Sequence, residues 1–341
     1  MTQDTLAVIW FGLLSILLIG YVVLDGFDFG VGILHPFAKS DKDRRILMNS
    51  IGPLWDGNEV WLVTFGGALF AAFPVAYATV FSAFYIPFML LLVALIFRAV
   101  SLEFRSKVKS DAWRGAWDFG FFGSSLLAAF LIGAAGGRTM LGMPLDEKLR
   151  VSLTLMDWLA PLPILVGLLT VALFALHGAI FLLLKTDGEL HAQVRRWAWI
   201  AYGCLLVLYV AATAYAVLFV PRATANFSEH PAFWIVPVLN VLAIANVSRA
   251  LYKDAPGYAF LSSSCTIIAL AFLFATGMYP YLIVSTSNPA WSVSIFDACS
   301  SQKTLKIMLV VALLGMPFVL TYTAIIYWVF RGKTKIDHAS Y

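Results

Sequence analysis

The chain has 341 residues, of which 61% are hydrophobic and 12% charged, and its mean hydropathy is +0.86. Soluble domains carry about a quarter charged residues, so this composition excludes a soluble globular protein. The formal net charge of +4 is small and gives no reason to expect nucleic acid as a partner.

A helix rises about 1.5 Å per residue and the hydrocarbon core is about 30 Å thick, so one span needs about 20 mostly apolar residues. Nine segments meet that length: residues 6–34, 51–73, 78–100, 117–137, 162–184, 197–220, 233–251, 258–284 and 305–330. They predict an all-α polytopic membrane protein forming a single integral membrane domain over residues 1–341. The first segment has no basic leader and no small-residue cleavage site, which reads as a retained helix. The connections are too short for a folded extramembrane domain.

If all nine segments cross, alternate connections lie on opposite faces, and the basic residues then divide unequally. Of the 23 Lys and Arg, six fall on one face: Arg138, Lys148, Arg150, Arg222, Lys303 and Lys306. The others, among them Lys39, Arg44, Arg45, Arg98, Arg105, Arg195, Arg249 and Lys335, fall on the opposite one. The positive-inside rule makes that richer face cytoplasmic. The amino terminus is therefore expected outside and the carboxyl terminus in the cytoplasm.

Cys204, Cys265 and Cys299 match no metal or redox spacing and read as packing residues. Gly26 with Gly30, and Gly133 with Gly137, are small residues one turn apart that let helices approach closely. A haem inside a bundle needs axial His, Met or Cys at membrane depth. His35, His191, His230 and His338 fall in connections or tails, and His177 sits in a helix as an expected packing residue. No HExxH, P-loop or GxGxxG pattern occurs, so hydrolytic metal, nucleotide-driven and dinucleotide chemistry are unsupported.

Acids inside spanning segments are costly and therefore mark candidate functional positions. Asp25 and Asp28 lie three apart in LDGFDFG, and Asp56 and Glu59 lie three apart in PLWDGNEVW, each pair on one helix face. Asp25 lies about 15 Å from the cytoplasmic end of its helix, and all four acids fall in the cytoplasmic half. Buried, mutually close carboxyls hold and release protons near neutral pH, so the four read as a proton path. Two other roles are open to them: completing helix ends, where the dipole favours anions, and pairing with Arg98.

Several stretches resemble one family, subunit II of the cytochrome bd type quinol oxidases. They are DGFDFGVGIL from Asp25, RRILMNSIGPLWDGNEVWLVTFGGALFAAFP from Arg44, FRAVSLEFRSK from Phe97, WRGAWDFGFFGSS from Trp113, HGAIFLLLKTDGELHAQVRRWA from His177 and SVSIFDACSSQKTLKIM from Ser292. Together they run through essentially the whole chain, in order, while the stretch from Pro221 to Pro256 carries no matching motif.

The resemblance implies two four-helix bundles plus one peripheral helix, in a bacterial cytoplasmic (inner) membrane. It implies a heterodimer with a haem-bearing subunit I that holds two haems b, haem d and the quinol site, while this chain binds no cofactor directly. It also leaves room for a structural quinone and for a small single-helix accessory subunit, among membrane lipids. Quinol would be oxidised near the outer face and O2 reduced with protons from the cytoplasm, generating a proton motive force by charge separation. In the family the acid of the Trp-Asp-Gly-Asn motif, here Asp56, is implicated in proton entry, and Asp25 in a second route; Asp28 and Glu59 join them by position. The alternative from the residues alone is a proton-coupled secondary transporter, against which no pair of interrupted helices appears in corresponding halves.

Overall fold

The computed structural model describes residues 1–335 and is almost entirely helical; His338 lies outside these residues. In chain order the helices are α1 (Gln3–Leu34), α2 (Asp41–Ile51), α3 (Trp55–Ala72), α4 (Pro74–Ala83), α5 (Tyr85–Phe104), α6 (Asp111–Leu141) and α7 (Leu155–Trp158). They continue as α8 (Pro161–Lys185), α9 (Gly188–Phe219), α10 (Arg222–Glu229), α11 (Ile235–Tyr252), α12 (Pro256–Met278), α13 (Ile295–Ala298) and α14 (Gln302–Val329). A small antiparallel hairpin of β1 (Tyr281–Ile283) and β2 (Val293–Ser294) stands between α12 and α13.

Local chemistry sets several of these limits. The hydroxyls of Ser40, Ser110 and Ser301 accept from the backbone N–H of Asp43, Trp113 and Thr304, capping α2, α6 and α14. Proline opens α4, α8 and α12, where its missing N–H costs nothing and its fixed φ suits the first turn.

Among the described residues, eight helices are long and apolar enough to cross a membrane: α1, α5, α6, α8, α9, α11, α12 and α14. The expected second segment, 51–73, is realised as α3, whose first turns carry Asp56, Asn58 and Glu59 and so are too polar to join that group. The expected third segment, 78–100, is divided: α4 ends at Ala83 and the long apolar helix starts at Tyr85. Pro87 in its first turn fixes that start. The expected eighth, 258–284, stops as a helix at Met278, because Pro280 cannot donate to a helical ladder and the following Tyr281–Ile283 pairs as a strand.

Packing arranges α1, α3, α5 and α6 as one group and α8, α9, α11 and α12 as another, joined where α8 lies against α1 and α6. Helix α8 is the most enclosed of the spanning helices, and α14 lies at the edge against α1 and α3, with Leu305 buried and one half-buried stripe facing the bundle. Cys204 and Cys265, expected in the packing, sit instead on exposed helix surface, and Cys299 is partly covered. Their apolar neighbourhoods in the sequence are faces turned outward, which periodicity cannot separate from buried ones when a helix is apolar all round.

The glycine pairs do mark close crossings. A Cβ on Gly30 would strike the backbone of Gly178 and the Phe174 carbonyl, and one on Gly133 or Gly137 would strike the α8 backbone near Val166 or Pro163. Backbone cannot yield as a flexible side chain can, and overpacking of this kind typically costs about 1–3 kcal/mol or more. Gly178→Val is therefore expected to separate α8 from α1 and lower the thermal unfolding midpoint of the purified protein, while Gly136→Ala, which faces open space, leaves it unchanged.

Candidate functional site

The crossing of α1, α3 and α5 gathers the polar groups that the apolar helices cannot otherwise shelter. Asp25 and Asp28 lie on α1 and both are fully buried. Arg98, from the middle of α5, is 1% exposed and places Nη1 2.7 Å from Asp25 Oδ1, while its Nη2 donates to Glu59 Oε1 on α3. The guanidinium also stacks 4.2 Å over the Phe29 ring, an arrangement that suits the planar arginine head and not lysine. Tyr21, one turn before Asp25, and Asp28, one turn after it, adjoin the Asp25 carboxyl.

Asn58 joins this buried centre to the surface. Its Nδ2 donates to Asp28 Oδ2 at 2.7 Å and to the Leu24 carbonyl at 3.1 Å, and its Oδ1 accepts from the Tyr327 hydroxyl of α14 at 2.9 Å. Asn58, Tyr327 and the exposed Asp56 line a surface cleft of about 90 Å³, room enough for several ordered waters. Asp56 itself makes no ion pair with Arg98, yet it is near enough for its charge to act on Glu59.

A second polar cluster closes the neighbouring end of the bundle. Asp118 on α6 meets His35 Nε2 at 2.6 Å, Arg105 Nε at 2.5 Å and Arg44 Nη1 at 2.9 Å, and Arg105 reaches on to Asp41 at 2.8 Å. These contacts tie the turn after α1, the start of α2, the end of α5 and α6 into one knot. His177 lies buried between α1 and α12, with Nδ1 2.7 Å from Ser263 Oγ, Nε2 3.1 Å from the Val23 carbonyl and its ring stacked on Phe260. Both ring nitrogens are engaged, so His177 does not fit an axial haem ligand, and among the described residues no group of three or more His, Cys, Asp or Glu side chains is arranged to hold a metal ion.

Residues 6–330 match the family model described as cytochrome bd terminal oxidase subunit II. The chain belongs to this family. It is 37% identical to the cytochrome bd-I ubiquinol oxidase subunit 2 of Escherichia coli K12, over 98% of this chain and 97% of that one. It is 35% identical to the cytochrome bd ubiquinol oxidase subunit 2 of Bacillus subtilis, over 96% of each. The fold is that of a chain in the bd oxidase structure from Geobacillus thermodenitrificans, with a TM-score of 0.79 at 20% identity, covering 96% of this chain and 98% of that one.

In this subunit II chain the four acids expected from the sequence fall into two settings. Asp25, Asp28 and Glu59 are brought together around Arg98 and Asn58, whereas Asp56 stands at the mouth of the cleft. Asn58 and Tyr327 were not among the expected residues. Asn58 lies within the Trp-Asp-Gly-Asn motif and is a polar residue in a spanning segment, which is a signal of the same kind as the acids. Tyr327 carries no such signal, since an interfacial tyrosine near a helix end is common. The Asp118 knot also went unread, because His35 sits in a connection and its partner lies 83 residues away.

Proposed function

We propose that this chain is the haem-free subunit II of a quinol:O2 oxidoreductase and that its acids carry protons from the cytoplasm toward a partner subunit I. The two haems b and haem d of that partner would supply electron transfer from quinol to O2. The observation that carries the reading is the polar series from the cleft shared by Asp56, Tyr327 and Asn58, through the Tyr327–Asn58–Asp28 hydrogen bonds, to the fully buried Asp28 and Asp25.

Each residue then has a task its geometry suits. Asp56, exposed at the cleft, collects protons from water. Asn58 cannot itself relay a proton without tautomerising, so it orients Asp28 while cleft water bridges the gap from Asp56. Asp28 and Asp25 pass the proton inward. Arg98 pairs with two carboxyls, Asp25 and Glu59, while a third, Asp28, is held beside them by Asn58. Burying surplus negative charge is costly, so the cluster carries an exchangeable proton in place of it. Arg98 keeps the cluster from neutralising fully and fixes Asp25 and Glu59 to opposite ends of its planar head. Proton uptake from the cytoplasm, with quinol protons released on the outer side, separates charge across the membrane.

Asp56→Asn is expected to slow oxygen consumption by the assembled complex about tenfold while the reduced-minus-oxidised visible spectrum keeps its haem bands. The magnitude lies below the about 100-fold contribution of a well-placed proton-transfer group, because water reaches the cleft directly. Unchanged oxygen consumption would remove Asp56 from the path.

A further inference from the structure

At the opposite end of the bundle from the acid cluster, the last turns of α6 and α9, the start of α10 and the segment after β1 border an open surface pocket. It measures about 340 Å³ and is lined by Leu141, Phe219, Val220, Arg222, Ser285 and Thr286. This is the low end of the range for small-molecule sites, enough for a phosphate and a glycerol. Arg222 is half-buried, and its Nη1 is fully buried without a hydrogen-bond partner. Arginine is always charged at ordinary pH, and a buried charged donor left without an acceptor is destabilising.

The neighbouring charges do not satisfy it. Arg138, from the end of α6, is already engaged with the Gly142 and Asp157 carbonyls and the Asp157 carboxylate at 3.6 Å. Burial and, behind it, the charge of Arg138 both disfavour the cationic form of Arg222, so the site has positive charge to spare. The lining also includes the polar residues Ser285 and Thr286. Its apolar side runs into Val217, Leu218 and Phe219 on the open surface of α9, which are 55%, 72% and 65% exposed.

A cationic pocket whose rim becomes an exposed apolar helix face matches one chemistry. We propose that this cavity binds the phosphate of an anionic phospholipid headgroup, with Arg222 as the cation and the acyl chains lying along α9 past Leu218 and Val217. Arginine pairs with phosphate through parallel N–H donors, and Arg222 contributes to the lining of this pocket. With the expected membrane orientation the lipid belongs to the outer leaflet. The site is independent of the proton path and of the Asp118 knot.

The test uses the full complex purified in detergent and stripped of lipid, titrated with dioctanoyl phosphatidylglycerol, dioctanoyl phosphatidylcholine or inorganic phosphate, and read by thermal unfolding and native mass spectrometry. Phosphatidylglycerol is expected to raise the unfolding midpoint and remain as a bound adduct, with its apparent Kd weakened about tenfold in Arg222→Gln. Arg222→Lys, which keeps charge but not the forked donors, is expected to fall between. Unaltered haem bands in both variants show that the complex is assembled. Equal binding by wild type and Arg222→Gln would overturn the proposal, as would no shift with phosphatidylglycerol. Inorganic phosphate or phosphatidylcholine matching phosphatidylglycerol would overturn the assignment to an anionic lipid.

Discussion

Arg98→Leu is expected to lose most of the assembled protein, not merely to slow it. The substitution strands Asp25, which is fully buried, and Glu59 without their shared cation. Breaking a buried pair from one side typically costs about 3–5 kcal/mol, a large share of the net stability of a folded domain. Removing both partners relieves the stranded charge, so Arg98→Leu combined with Asp25→Leu is expected to recover part of the yield. Arg98→Lys should fall between, since a single ammonium cannot span Asp25 and Glu59 or stack flat on Phe29. The measurement is the amount of haem-containing complex recovered from membranes and its unfolding midpoint. Full recovery of Arg98→Leu would show that Asp25 and Glu59 need no counter-charge.

The second large effect is on turnover. Asp25→Asn keeps the shape of the side chain at the inner end of the polar series but removes the carboxyl to which the proposed path assigns a proton. Positioned proton-transfer groups contribute about 10²–10⁴-fold, so oxygen consumption is expected to fall on the order of 100-fold. The amide oxygen still faces the Arg98 guanidinium, and Glu59 remains as its counter-charge, so assembly should survive. Haem bands of normal height with slow oxygen consumption are the expected combination. Loss of the complex instead would make Asp25 a structural partner of Arg98, and normal turnover in an intact complex would take it off the path. The two substitutions separate the roles because Arg98→Leu acts on assembly and Asp25→Asn on rate.

Asp118 centres a second polar cluster, apart from the cleft. It binds one histidine and two arginines drawn from three different segments, and these close the bundle end beside the acids without lying on the route from the cleft. The glycine crossings act at the other scale, setting how closely α8 can approach α1 and α6. Both hold the helices at the spacing that lets Arg98 on α5 reach acids on α1 and α3.

Composition and periodicity were enough to establish an apolar helical membrane protein, because the bilayer leaves spanning chains few options beyond helices. They were also enough to single out Asp25, Asp28, Asp56 and Glu59, since each breaks an otherwise apolar stretch. The motifs placed the chain in its family before any contact was known. Periodicity did not settle where α4 ends and α5 begins, or that residues 281–283 form a strand, because a single proline redirects the backbone inside a stretch that remains apolar. It also could not say which apolar faces are covered, so Cys204 and Cys265 were assigned to the packing. What tertiary structure alone decided is the partnership: Arg98 bridging α1 and α3, Asn58 holding Asp28 while accepting from Tyr327, and Arg222 left without an anion. Those pairings join residues between 30 and 269 positions apart. A sequence records that a charge lies within a membrane helix, but the neighbour that makes the charge tolerable is fixed by how the helices cross.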